Sequence, residues 1–208
     1  MRKHLTAVLL GSGAAALALC LGTATAMATA AKTWTITPGG AVTGSAGKTT
    51  LLDTTTQQTL SCVSSATMAT LKTGSGQTNP IGNITSVTFS TCTGPGGLKF
   101  TVTTSASATT PWKLAGNTFS GGVTHGKITG IKASLSGAGC SATVGGTTAT
   151  STGTTTGTYT NSTGILKVSG GNLHVWNVSG CLGLINSGDG TTFTGKYTIS
   201  PKQKITSP

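Results

Sequence analysis

Gly82-Asn83-Ile84-Thr85-Ser86-Val87-Thr88-Phe89-Ser90-Thr91-Cys92 is the most informative stretch of this 208-residue chain. Apolar and polar residues alternate in it as a half-buried strand requires, but the phase changes between Ile84 and Val87. One extra residue restores the register, which predicts a β-bulge near Ser86. The shared core G-x-I-T-x-aliphatic returns in Gly126-Lys127-Ile128-Thr129-Gly130-Ile131, with Leu135, Ser136 and Cys140 following. A second bulge is predicted near Gly130. In Leu173-His174-Val175-Trp176-Asn177-Val178-Ser179-Gly180-Cys181, a strand-like run, a serine and a cysteine again stand in that order. Such recurrence suggests an internally duplicated strand-plus-turn unit.

Outward from these stretches, Trp34–Thr37 and Leu98–Thr103 alternate in the same way. Further strands are expected around 47–53, 57–63, 66–72, 111–116, 141–150, 153–160, 164–168 and 191–200. Segments such as Thr93-Gly94-Pro95-Gly96-Gly97 and Asn186-Ser187-Gly188-Asp189-Gly190 supply turns. The composition agrees: 46 threonines suit a pleated surface and 32 glycines suit turns. About a dozen short strands with close turns predict an all-β fold, an antiparallel sandwich or barrel.

The chain opens differently. Arg2, Lys3 and His4 precede an uncharged apolar run, Leu5 to Leu21, and small-x-small patterns follow up to Ala30. That is the pattern of an export signal, expected over residues 1–30 with cleavage after Ala28 or Ala30. A membrane span needs roughly 17–25 apolar residues, so an uncleaved anchor is the weaker reading. Cys20 would leave with the signal. Residues 31–208 are then expected to form a single secreted all-β domain, with a two-lobed division near 106–125 as an option. The product would be extracellular or loosely associated with the cell surface.

Four cysteines remain, Cys62, Cys92, Cys140 and Cys181. An even number in an exported chain reads as two disulfides, with three connectivities open. The pairing expected is Cys62 with Cys92 and Cys140 with Cys181. A zinc site would need close pairs, which spacings of 30, 48 and 41 residues do not provide.

Formal charge is +11 for the whole chain and falls to +9 once Arg2 and Lys3 leave. Its cause is a shortage of acids: Asp53 and Asp189 stand alone, and there is no glutamate. The lysines are spread along the length and no arginine remains, so nucleic acid is not an expected partner. Catalysis would have to be assembled from Asp53, Asp189, His125 and His174. Asp189 lies in a Ser-Gly-Asp-Gly turn, His125 precedes Gly126 in an expected turn, and His174 sits on a strand beside Trp176. No Gly-x-Ser-x-Gly nucleophile motif is present, and two acids leave no spare for glycosidase or calcium chemistry. The expectation is a protein without catalytic residues, metal or cofactor, its tryptophans Trp34, Trp112 and Trp176 in the core.

The set Trp34-Thr35-Ile36-Thr37-Pro38-Gly39-Gly40, Ile84 to Ser90, Cys92-Thr93-Gly94-Pro95, Pro111-Trp112, Leu135-Ser136-Gly137, Gly171-Asn172-Leu173-His174 and Ile185 to Asp189 resembles exported Thr/Gly-rich proteins of filamentous actinobacteria with no assigned function. More distantly, the Ile-Thr-Ser-x-Thr-Phe-x-x-Cys segment and the Pro-Trp look like secreted proteobacterial activators of alkane oxidation. The second likeness implies no catalytic residue, only a hydrophobic substrate or surface. Two functions follow as expectations. The first is a structural or surface-associated protein drawn by charge to anionic cell-envelope polymers. The alternative is an extracellular binding module for an apolar small molecule inside a barrel or between sheets. Stable transmembrane insertion is not expected, because no strand carries a lipid-facing apolar band.

Overall fold

The computed structural model describes residues 32–208 apart from Ala138, so the export signal expected over 1–30 lies outside the described residues. In chain order the strands are β1 (Trp34–Thr37), β2 (Gly40–Ala46), β3 (Thr49–Asp53), β4 (Thr59–Leu71), β5 (Gly74–Gln77), β6 (Gly82–Thr93), β7 (Lys99–Thr104) and β8 (Trp112–Ser120). They continue as β9 (Val123–Ile131), β10 (Ala133–Gly137), β11 (Cys140–Gly145), β12 (Gly153–Thr160), β13 (Ile165–Ser169), β14 (Leu173–Ser179), β15 (Gly190–Ser200) and β16 (Lys204–Thr206). One 3-10 turn, Pro95–Gly97, joins β6 to β7. The fold is all-β and antiparallel, in one sheet of 13 strands and one of 3.

The thirteen strands of the larger sheet make eight staves. Three staves are the long strands β4, β6 and β15, of 13, 12 and 11 residues. The other five are each two consecutive strands laid end to end: β2 with β3, β7 with β8, β9 with β10, β11 with β12, and β13 with β14. Every stave pairs with the next in chain order, as β4 with β6 or β9 with β12. The last then pairs with the first, because β15 bonds β2 through Tyr197 opposite Ala46 and β3 through Phe193 opposite Leu51. The circuit closes, and the larger sheet is an up-and-down barrel with no free edge.

Both predicted bulges are present. Ser86 pairs with Met68 and Ile84 with Ala69, leaving Thr85 as the extra residue in β6. In β9, Ile131 pairs with Gly153 and Thr129 with Thr154, leaving out Gly130, whose φ of +84° is one that a residue with a Cβ rarely adopts. The third related stretch is bulged too: Asn177 and Val178 face the single residue Ala142, with Asn177 at φ +51°. Each extra residue returns the following apolar side chain to the interior.

Several boundaries differ from expectation. The two strands expected over 57–63 and 66–72 are the one strand β4, Thr59–Leu71, in which the inward face changes phase between Cys62 and Ser65 and leaves Val63 65% exposed. Residues 128–135 are two strands interrupted at Lys132, and 146–152 is an excursion between β11 and β12. Residues 106–125 hold the β7–β8 connection, β8 and the start of β9, all inside the circuit. β2, β5 and β16 were not expected at all.

The small sheet, in the order β16-β1-β5, covers one end of the barrel. Its Trp34, Ile36 and Ile205 are 1%, 0% and 6% exposed. Gln203, equally buried, ties this cap down by accepting from the Gly39 N–H at 2.8 Å and exchanging backbone bonds with the Tyr159 hydroxyl at 2.8 and 2.9 Å. Toward the other end lie the disulfides Cys62–Cys92 and Cys140–Cys181, the connectivity expected from the sequence. By the loop-entropy relation each such bridge contributes about 3–4 kcal/mol.

Trp34 reaches the barrel wall over Gly116, where an added Cβ would sit 2.3 Å from the indole ring. The cap therefore depends on a glycine in β8. Gly116→Ala is expected to cost about 1–3 kcal/mol in urea unfolding, with Trp34 fluorescence shifted to the red. An unchanged midpoint and spectrum would mean that Trp34 does not seat there.

Candidate functional site

Eight staves enclose an interior only wide enough for side chains to fill or for one small ligand. Here the filling is incomplete. A cavity of about 100 Å³ occupies the middle of the lumen, walled by side chains from all eight staves. Among them are Leu51, Leu60, Val87, Val102, Ile128, Val144, Leu166 and Phe193. Phe89 and Phe193 meet across it edge to face, with ring centroids 5.9 Å apart. A second cavity of about 90 Å³ lies toward the cap, between Val42, Leu71, Ile81, Leu114, Tyr159 and Ile205. Thr67, Ile84, Ile128 and Leu166 wall both, so the two adjoin along the barrel axis. A third, of about 50 Å³, lies toward the disulfide end beside Asp53, Phe100, Val175 and Thr191.

The alternation that builds the strands makes this chamber apolar. Threonine and serine take most outward positions, while most inward ones carry Ile, Leu, Val and Phe. Some of the few polar groups inside are paired, as in the 2.9 Å hydrogen bond between the Ser65 and Tyr197 hydroxyls. Five buried side-chain atoms among the described residues have no partner: Trp34 Nε1, Asp53 Oδ2 and the Oγ1 atoms of Thr49, Thr155 and Thr191.

Of the residues weighed for catalysis, backbone pairing brings Asp53, Asp189 and His174 to the disulfide end, and His125 lies apart on β9. Asp189 Oδ2 accepts from the Asn186 backbone N–H at 2.7 Å and so holds its own turn. Asp53 Oδ1 accepts from the backbone N–H groups of Thr55 and Thr56 at 2.8 and 2.9 Å. Both carboxylates lie at the disulfide end, since Thr191 pairs with Asp53 and the Thr54 N–H donates to the Gly190 carbonyl. His125 is exposed within β9 and not in the expected turn; the turn lies earlier, at Gly121-Gly122. His174 is half-buried on β14, its Nδ1 3.1 Å from the Asn172 carbonyl oxygen and its ring stacked on Trp176. Among the described residues no group of three His, Cys, Asp or Glu could hold a metal ion. Trp34 and Trp112 are core residues, as expected, and Trp176 is half-buried with Nε1 donating to the Gly146 carbonyl.

The outer wall has its own pattern. Across four neighbouring staves, His125, Thr158, Lys167 and Lys196 occupy one row, with Lys167 directly opposite Lys196. Like charges facing each other across a strand pair are destabilising. The exposed large apolar residues are few, with Leu182 at 95% the most prominent, ahead of Val63 and of Met68 at 56%. No described helix is long and apolar enough to cross a membrane, which says nothing of strands. Comparison with protein-family models, with curated proteins and with solved structures gives no match.

Burial raises the pKa of both lumen tyrosines, Tyr159 and Tyr197, above 10.0, partly offset by their hydrogen bonds to Gln203 and Ser65. Below pH 10 both hydroxyls are neutral whether the chain is folded or not. Above it the unfolded chain ionises first, so stability is lost as pH rises through the native values. Urea midpoints are therefore expected to hold up to about pH 10 and fall beyond it. Tyr197→Phe should flatten that fall while lowering the midpoint at neutral pH; an equally steep fall would place the alkaline sensitivity elsewhere.

Proposed function

We propose that the protein is an extracellular, non-enzymatic binding module that carries one small apolar molecule in the lumen of its barrel. A single observation supports this most strongly: two adjoining apolar cavities, walled from every side, lie inside a barrel with no edge. Apolar pockets of this kind are the usual seats of small ligands. The size points to a slim occupant, since an apolar cavity of about 150 Å³ accepts a benzene ring. Two disulfides fit work in an oxidising compartment outside the cell. Both carboxylates are engaged by backbone N–H groups of their own turns, which supports binding over catalysis.

A second reading rests on the row containing Lys167 and Lys196. Two unneutralised lysines face each other at some cost to the fold, and such a row suits attraction to anionic envelope polymers. The two readings are compatible, because one uses the inside of the wall and the other the outside.

If the lumen takes an apolar guest, hexane near saturation should raise the unfolding midpoint by on the order of 5 °C, as mass action requires of a ligand at about 100 times its Kd. Val144→Phe places a ring in the central cavity and should abolish the shift while the protein stays folded. No shift in the unmodified protein would sink the proposal. For the second reading, the fraction retained on isolated cell walls should drop severalfold in Lys167→Gln/Lys196→Gln and fall with added salt; insensitivity to both would remove it.

A further inference from the structure

An unpaired hydroxyl inside an apolar chamber costs free energy unless something bonds to it. Thr49 and Thr155 are 1% and 2% exposed, and both wall the central cavity. Neither Oγ1 has a hydrogen-bond partner among the described residues. A paired threonine on this cavity's wall shows the contrast, since the Thr67 hydroxyl donates to the Ser86 carbonyl at 2.9 Å, while Thr191, whose Oγ1 is also unpaired, lies at the third cavity. Thr49 on β3 and Thr155 on β12 are separated by the staves of β15 and β13, so the two hydroxyls come from different sectors of the wall.

We propose that Thr49 and Thr155 supply the polar subsite of the lumen at two separate points of its wall and that its ligand is a neutral apolar molecule bearing a hydroxyl or carbonyl oxygen, which bonds to one or the other. This rests on the reading of the lumen as a ligand chamber and makes that reading specific. A threonine hydroxyl both donates and accepts, so it can serve an alcohol in either sense and a carbonyl by donation. A carboxylate is excluded on charge. All lysines near the barrel lie on its outside or at its rims, and the buried charged residue of the interior is Asp53, at the third cavity. A bare hydrocarbon would fill the space and leave both hydroxyls unsatisfied.

The test compares hexane, hexanol and hexanoate on the full disulfide-bonded protein and on Thr49→Val/Thr155→Val, with Kd from titration calorimetry. Valine keeps the shape of threonine and removes the hydroxyl. Hexanol affinity is expected to fall roughly tenfold or more in the double variant, while hexane affinity holds or rises and hexanoate binds neither protein. The unliganded variant is expected to unfold at higher urea, because two unpaired buried hydroxyls are gone. Thr155→Ser, which keeps a hydroxyl, should retain hexanol binding if the double variant proves hard to fold. Equal changes in hexane and hexanol affinity would overturn the subsite and leave the apolar chamber standing. Failure of both hexane and hexanol to bind the unmodified protein would overturn the subsite and the chamber together.

Discussion

The bonding of β15 on both of its edges is the constraint from which the rest of the structure follows. Gly190–Ser200 pairs on one side with β2 and β3 and on the other with β13 and β14, and this turns an open meander into a closed wall. Closure satisfies every backbone edge and separates an inside from an outside. Once that boundary exists, each strand must present alternate residues to two different solvents. The bulges at Thr85, Gly130 and Asn177 keep that division intact along staves longer than one uninterrupted alternation. A chain with modest numbers of large apolar residues can fold this way because one shared lumen collects nearly all of them.

Much of the wall was legible in the sequence. The phase changes at Ile84–Val87 and Ile128–Ile131 located two bulges, and the even cysteine count in a strand-rich chain pointed to the bridges that are seen. Alternation also marked β1, β7, β12 and β15 closely. The closed order was not legible, because strand pairing between β15 and β2 or β3 depends on residues some 150 positions apart that carry no mutual signal. β2, β5 and β16 were hidden by their composition: Gly-Ala-Val-Thr-Gly-Ser-Ala and Gly-Ser-Gly-Gln read as turn, and Lys-Ile-Thr is too short to show a period.

The same limit applies to the candidate site. Thr49 and Thr155 are two of 46 threonines, and nothing local distinguishes a threonine aimed into a cavity from one aimed at solvent. His125 was read beside a glycine and assigned to a turn, although Gly126 pairs with both Gly116 and Gly157 inside the sheet. Composition records that Asp53 and Asp189 are the chain's two acids. It could not foretell the lumen, which is a property of closure and not of any single strand.

The most direct measurement is a crystal structure of the protein under xenon pressure, since xenon enters dry apolar cavities without needing a hydrogen bond. The account requires an eight-staved closed wall and xenon in the central cavity, between Val87, Ile128, Val144 and Leu166. A lumen packed solid, or one filled by ordered water with no xenon, would contradict it.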